Sequence, residues 1–148
     1  NLAYDKAVPS DDKEVLAGES LFTGKAGCVT CHSYNDQGGS VGPSLDGVFA
    51  RLGESGLNRA LSNPSASIVT GYEAKEVVME DGTLIRGRYR NDSDVAVQIQ
   101  SVDGRRWVTY FKDRVQLLND SKESLMPDIY ATFGATEQNQ LMAFLKSL

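Results

Sequence analysis

Cysteine and histidine are scarce in this 148-residue chain, which has two of the first and one of the second. A structural zinc site needs four side-chain ligands, so a second Cys/His pair would be required, and there is none. Positive charge is also in deficit: 15 Lys and Arg stand against 20 Asp and Glu, for a formal charge of −5. That balance excludes the basic footprint on which nucleic-acid binding depends. Long apolar runs are missing too. The longest clusters, such as Leu141 to Leu145, fall far short of the roughly 20 residues needed to cross a bilayer. The opening Asn1-Leu2-Ala3-Tyr4-Asp5 lacks both the basic start and the apolar stretch of a secretory signal, so the chain reads as a mature form or a fragment. Its length suits one domain, or one domain carrying a small inserted unit. A hydrophobic share of 41% and a charged share of 24% are those of an ordinary globular protein.

What is present is concentrated. Both cysteines and the histidine lie within the five residues Cys28-Val29-Thr30-Cys31-His32. C-x-x-C-H is the signature of covalent haem attachment. Two thiols add across two vinyl groups on neighbouring porphyrin edges, and a two-residue spacer lets one short turn present both sulfurs. The next residue then falls beneath the iron, where an imidazole nitrogen can ligate it. Other chemistries of C-x-x-C remain as alternatives. A thioredoxin-like redox pair would need a surrounding βαβ pattern, whereas a helical pattern precedes this motif and a glycine-rich loop follows it. A plain disulfide would leave His32 unexplained.

Around the motif the pattern is helical. From a cap at Asp11 or Asp12, the run to Phe22 places Val15, Gly18 and Phe22 on one face, the spacing of an amphipathic helix. A glycine inside a helix costs about 1 kcal/mol against alanine, so Gly18 predicts close packing by another element. Asn58 to Asn63, stopped by Pro64, is a short middle helix by the family resemblance that follows. Thr136 is a candidate N-cap for a last helix, in which Leu141, Phe144, Leu145 and Leu148 form an apolar stripe.

Two segments carry a family resemblance. Gly42-Pro43-Ser44-Leu45 and the following Asp46 to Gly53, placed after the haem motif, resemble the class I cytochromes c. The resemblance implies that the Pro43 carbonyl accepts a hydrogen bond from His32 and that Arg51 lies beside a haem propionate. For Arg51 the alternative is a solvated surface residue. It also implies a crossing of first and last helices at Gly18, Phe22, Leu141 and Phe144, and a second axial ligand from Leu125-Met126-Pro127. A thioether suits haem iron and raises its potential relative to two histidines. Met79 and Met142 compete for that role, Met79 from a strand-like segment and Met142 from inside the last helix.

Between the middle helix and Met126 the pattern changes to strands. Glu76–Glu80 and Thr83–Tyr89 flank Asp81-Gly82, a strong hairpin signal. Val95, Val97 and Ile99 alternate with polar residues, Asp103-Gly104 makes a second turn into Arg105–Phe111, and Arg114–Leu118 supplies a fifth strand. An apolar centre is expected from among Val77, Leu84, Val97, Ile99 and Trp107. The expectation is a mainly α class I cytochrome c fold, over 1–73 and 119–148, with a small antiparallel β insert over 74–118, a meander or SH3-like barrel, α+β overall. The combination resembles the haem-binding domain of the planctomycete and verrucomicrobium type, usually found at the end of larger proteins.

The function implied is single-electron transfer by one covalently bound haem c with His32 and Met126 as iron ligands, in partnership with an unidentified redox protein. A periplasmic or otherwise exported location follows, because this attachment is made outside the cytoplasm. Two alternatives are a sensor or enzyme with a labile sixth ligand, and a binding module presenting Arg86, Arg88, Arg90, Arg105 and Arg106 to a partner. The insert, rooted on the methionine side, is expected to shield the haem or form one wall of a docking surface.

Overall fold

The computed structural model describes residues 12–148, so Asn1 to Asp5 and the candidate cap Asp11 lie outside the described residues. Helix α1 (Lys13–Thr23) is capped by Asp12, whose carboxylate accepts a 2.9 Å hydrogen bond from the Glu14 N–H. Gly24 ends it, its own N–H closing on the Ser20 and Leu21 carbonyls. A two-residue hairpin follows the cysteine motif: β1 (Ser33–Tyr34) turns through Asn35 and Asp36, both at positive φ, into β2 (Gln37–Gly38). Asn and Asp tolerate the left-handed conformation better than most residues, and a two-residue turn of this hand suits strand twist.

Helix α2 (Val48–Ser62) begins well before the expected Asn58 and is kinked at Gly53, where φ is +68°. The glycines at 47 and 53 obscured its first half by breaking the helical pattern. Helix α3 (Ala135–Lys146) starts from Gly134, so the expected cap Thr136 sits inside the first turn. α1 and α3 cross at Gly18. Phe22, Tyr34 and Phe144 meet there with ring centroids 5.2 to 5.3 Å apart, and Leu141, Met142 and Leu145 complete this core. Each such tilted or edge-on ring pair adds about 1 kcal/mol beyond the area it buries.

The remaining strands are β3 (Ala74–Met79), β4 (Leu84–Arg90), β5 (Ala96–Gln100), β6 (Trp107–Phe111) and β7 (Val115–Ser121). They form one antiparallel sheet in the order β6-β5-β4-β3-β7. Strand alternation splits its side chains. One face gathers Val77, Val97 and Ile99 with Ile85, Tyr89, Tyr110 and Leu118 around them. The other carries Arg86, Arg88, Arg90, Gln100 and Trp107. Leu84 is 61% exposed and Trp107 lies on the arginine face, so neither joins the apolar centre.

The expected fold class is overturned. Among the described residues helix makes up 34% and strand 25%, and a five-stranded sheet with its own core is a principal element of an α+β structure. It is not a minor addition to a mainly α class I fold. The helical expectation rested on the segments flanking the cysteine motif. The strands between them bury a smaller apolar centre of their own, around Val77, Val97 and Ile99. Nor is the sheet a simple meander: β7 crosses to the far edge and pairs with β3.

Candidate functional site

The cysteine motif begins where α1 has ended. Gly27, at φ +66°, starts a single 3-10 turn over Cys28–Thr30. Cys31 and His32 donate their N–H groups to the Cys28 carbonyl at 3.1 and 2.9 Å. Residues three apart eclipse one another in such a turn, which sets the two cysteines on one side. Both thiols are free and half-buried. Burial pushes the Cys28 thiol up to about 11, with a smaller push from Cys31, and burial also raises Cys31. Near neutral pH both therefore stand as protonated thiols.

His32 is held from one side only. Its Nδ1 lies 2.6 Å from the Pro43 carbonyl oxygen. A carbonyl only accepts, so Nδ1 carries the proton and Nε2 keeps a free lone pair. Among the described residues Nε2 makes no hydrogen bond. Burial lowers the pKa of the ring, the Pro43 bond opposing it in part, so the imidazole stays neutral. The loop that brings Pro43 here lies flat against the motif. A Cβ on Gly42 would fall 2.5 Å from His32 Cε1, and one on Gly38 or Gly39 would collide with the His32 or Thr30 carbonyl. Backbone bonds from Gly39 to Val29 (2.9 Å) and from Gly42 to Cys31 (2.8 Å) pin the two segments together.

Arg51 is exposed and donates to the loop carbonyls of Asp46 and Ser44, the second at 3.1 Å. Asp46 in turn accepts from the Asn35 N–H at 2.9 Å. Arg51 thereby braces the loop that ends in Pro43. Met126 is half-buried, belongs to neither apolar cluster, and its N–H donates to Ser124 Oγ at 3.1 Å. The other two methionines are accounted for by packing: Met142 is buried in the helical core and Met79 lies against the sheet core.

Sequence reasoning gave no place to the contacts between the sheet and these loops. Arg88 donates to the Ser40 carbonyl and Arg86 to that of Glu123, while Gln100 bonds Ser40 Oγ. The i, i+2 spacing showed that the arginines share a face, but not what that face meets.

The sequence pattern of the cytochrome c family matches residues 15–96, more than half of the chain. The chain belongs to the cytochrome c family. Its cofactor is covalently bound haem c with an iron centre, and its activity is haem-based electron transfer. The match covers the motif, the glycine loop, α2 and the first strands of the sheet, and ends before Met126. No curated protein matches the chain. Among the described residues no helix is long and apolar enough to cross a membrane. The donor set of this cytochrome c suits haem c: two free thiols on one turn, and a neutral imidazole whose unbonded nitrogen carries a lone pair.

Proposed function

We propose that this cytochrome c is a mono-haem electron carrier rather than an enzyme, with thioether links from Cys28 and Cys31 and the iron held between His32 Nε2 and Met126. The observation that carries this reading is the hydrogen bond from His32 Nδ1 to the Pro43 carbonyl. It fixes the tautomer a metal-bound imidazole needs, beside two free thiols. Bound haem supplies one-electron exchange at its iron. Thioether formation adds each S–H across a vinyl double bond, so no atom is lost and no leaving group departs.

Met126 is the favoured second ligand because packing already occupies Met79 and Met142. Two protein ligands leave no open coordination position for a substrate, which favours electron exchange through the haem edge. Arg51, anchored to the loop by two of its donors, keeps further N–H groups with which to meet a propionate. The sheet and the terminal Leu-Met-Pro resemble the planctomycete-type haem domain, so the natural setting is a larger dehydrogenase-like redox protein outside the cytoplasm, with this unit passing on its electrons.

The test has two readouts. Denatured protein should keep its haem through acid extraction and show the mass of one added haem. The ferric form should show the long-wavelength charge-transfer band of sulfur-ligated haem, and Met126→Ala should abolish it. Haem that extracts freely overturns the attachment. A band lost in Met79→Ala instead moves the ligand into the sheet.

A further inference from the structure

Arg86 and Arg88 are neighbours on one face of β4, and each reaches out of the sheet to a different loop. The Arg88 guanidinium donates to the Ser40 carbonyl and to the Gly71 carbonyl, both at 2.9 Å, and stacks over the Tyr72 ring at 4.0 Å. Ser40 lies in the glycine-rich loop that covers His32. Gln100, on the adjacent strand, strengthens the same joint by donating to Ser40 Oγ at 2.9 Å and to the Gly104 carbonyl at 3.1 Å.

Arg86 turns the other way. Its Nη2 donates to the Glu123 carbonyl at 2.6 Å and to the Ser124 carbonyl at 3.5 Å, and its fork also grips Ser121 Oγ at 3.1 and 3.2 Å. Ser124 is fixed twice more. Its N–H donates to Ser65 Oγ at 2.9 Å, and its own hydroxyl accepts the Met126 N–H at 3.1 Å. An unbroken series of bonds therefore runs from Arg86 through Ser124 to Met126. The nearest carboxylate, Glu76, stands 3.6 Å away, so the closest partners of Arg86 are these neutral oxygens. A guanidinium presents its N–H donors in a rigid planar fork that reaches acceptors on separate loops, whereas an ammonium offers its donors from a single nitrogen.

We propose that Arg86 and Arg88 are positioning residues that tie the His32 loop and the Met126 loop to one strand, and so set how firmly Met126 stays on the iron. The proposal rests on Met126 being the second ligand. A strand inside a five-stranded sheet resists bending, so the spacing of the two anchors is fixed by the β4 backbone. When either anchor is lost, the loop it held is free to drift and the sulfur leaves more often. Arg86 and Arg88 are thus spent inside the molecule, and the electron-transfer unit and the sheet act as one mechanical body.

The test uses the ferric, haem-loaded protein and three readouts: the sulfur charge-transfer band, the reduction potential, and the rate at which added imidazole displaces the sixth ligand. A charge-assisted bond to a carbonyl controls an open–closed ratio by roughly tenfold or more. Arg86→Ala should therefore raise the imidazole rate by about that factor, weaken the band and lower the potential. Arg88→Ala should change all three in the same direction. Arg86→Lys and Arg88→Lys, which keep the charge but gather the donors on one nitrogen, should fall between. Arg90→Ala is the control, because Arg90 shares the face but reaches only Gln98 and the Trp107 ring; it should match the unaltered protein. Met126→Ala separates the two readings. If it leaves the band in place, the ligation and the brace both fall. If it removes the band while the Arg86 and Arg88 variants exchange imidazole at the unaltered rate, the brace alone is wrong.

Discussion

Gly18 of α1 and Phe144 of α3 stand so close that a Cβ built on the glycine lies 2.7 Å from the phenylalanine Cβ, and nearer still to the Gln140 carbonyl oxygen. The obstacle is largely backbone, which cannot swing aside as a flexible side chain can. Gly18→Ala must therefore push the helices apart and open the Phe22–Tyr34–Phe144 ring cluster. The expected cost is at least about 2 kcal/mol, read as a lower thermal midpoint of the haem-loaded protein. A loss of less than about 0.5 kcal/mol, the range of an ordinary surface change, would show that the crossing is slack.

Gly42 offers the same test at His32. A methyl group there falls 2.5 Å from His32 Cε1 and 2.8 Å from Nδ1, so the ring must tilt away from the Pro43 carbonyl. Gly42→Ala should lower the yield of haem-loaded protein and shift its reduction potential. Gly134→Ala, at a site with no atom within 4 Å of the new carbon, should leave both unchanged.

The two faces of the sheet predict opposite responses to truncation. Val77 is wholly buried and Leu84 is 61% exposed. Val77→Ala should cost about 2 kcal/mol, and Leu84→Ala should stay within about 0.5 kcal/mol. Emission from Trp107, the only tryptophan, gives a local readout of sheet unfolding in denaturant. Equal costs at the two positions would contradict the register.

The ion pairs beside Tyr89 predict a pH dependence. Asp92 is held below the usual carboxylate range chiefly by its hydrogen bond from Lys112, at 2.6 Å, aided by the charge of Lys75. Its contribution is complete above the unfolded value of 3.8 and is lost as pH falls further, through the lower folded value. Lys75 is raised, chiefly by its bond to Asp120, so its contribution is complete below 10.5 and is lost at still higher pH. The pairs are partly exposed and screened, so Asp92→Asn should cost about 0.5 to 1 kcal/mol at neutral pH. The substitution should also flatten the acid side of the stability profile below about pH 4, measured by denaturant unfolding at pH 3 and pH 7.

Much of this was legible where physical chemistry is local. Cys28, Cys31 and His32 announce themselves by spacing, and period-2 alternation marked most of the strands. The bond from His32 to Pro43 came through a family resemblance. Long-range relations were not legible. β7 pairs with β3 because the sheet closes on its far edge, and no alternation pattern encodes which edge a strand will join. Arg86 and Arg88 were read with Arg90 as a basic face open to a partner, since charge alone does not reveal that carbonyls of distant loops stand opposite the first two. α2 was read too short because Gly53 interrupts its period, although the helix resumes beyond the kink.

Ala74 and Ser121, the first and last residues of the five-stranded sheet, are direct register partners on adjacent strands. The chain therefore leaves the helices and returns to them through a single doorway about one strand spacing wide. A floppy excursion of this length would oppose the meeting of α1 and α3 with a closure entropy roughly 3 kcal/mol larger than that of a two-residue turn, since the penalty grows as (3/2)RT ln n. With its ends zipped together, the detour behaves toward the helices as though it were a tight turn. Threads of very different length could hang from that doorway without loosening the crossing of α1 and α3, provided each brings its own two ends back side by side.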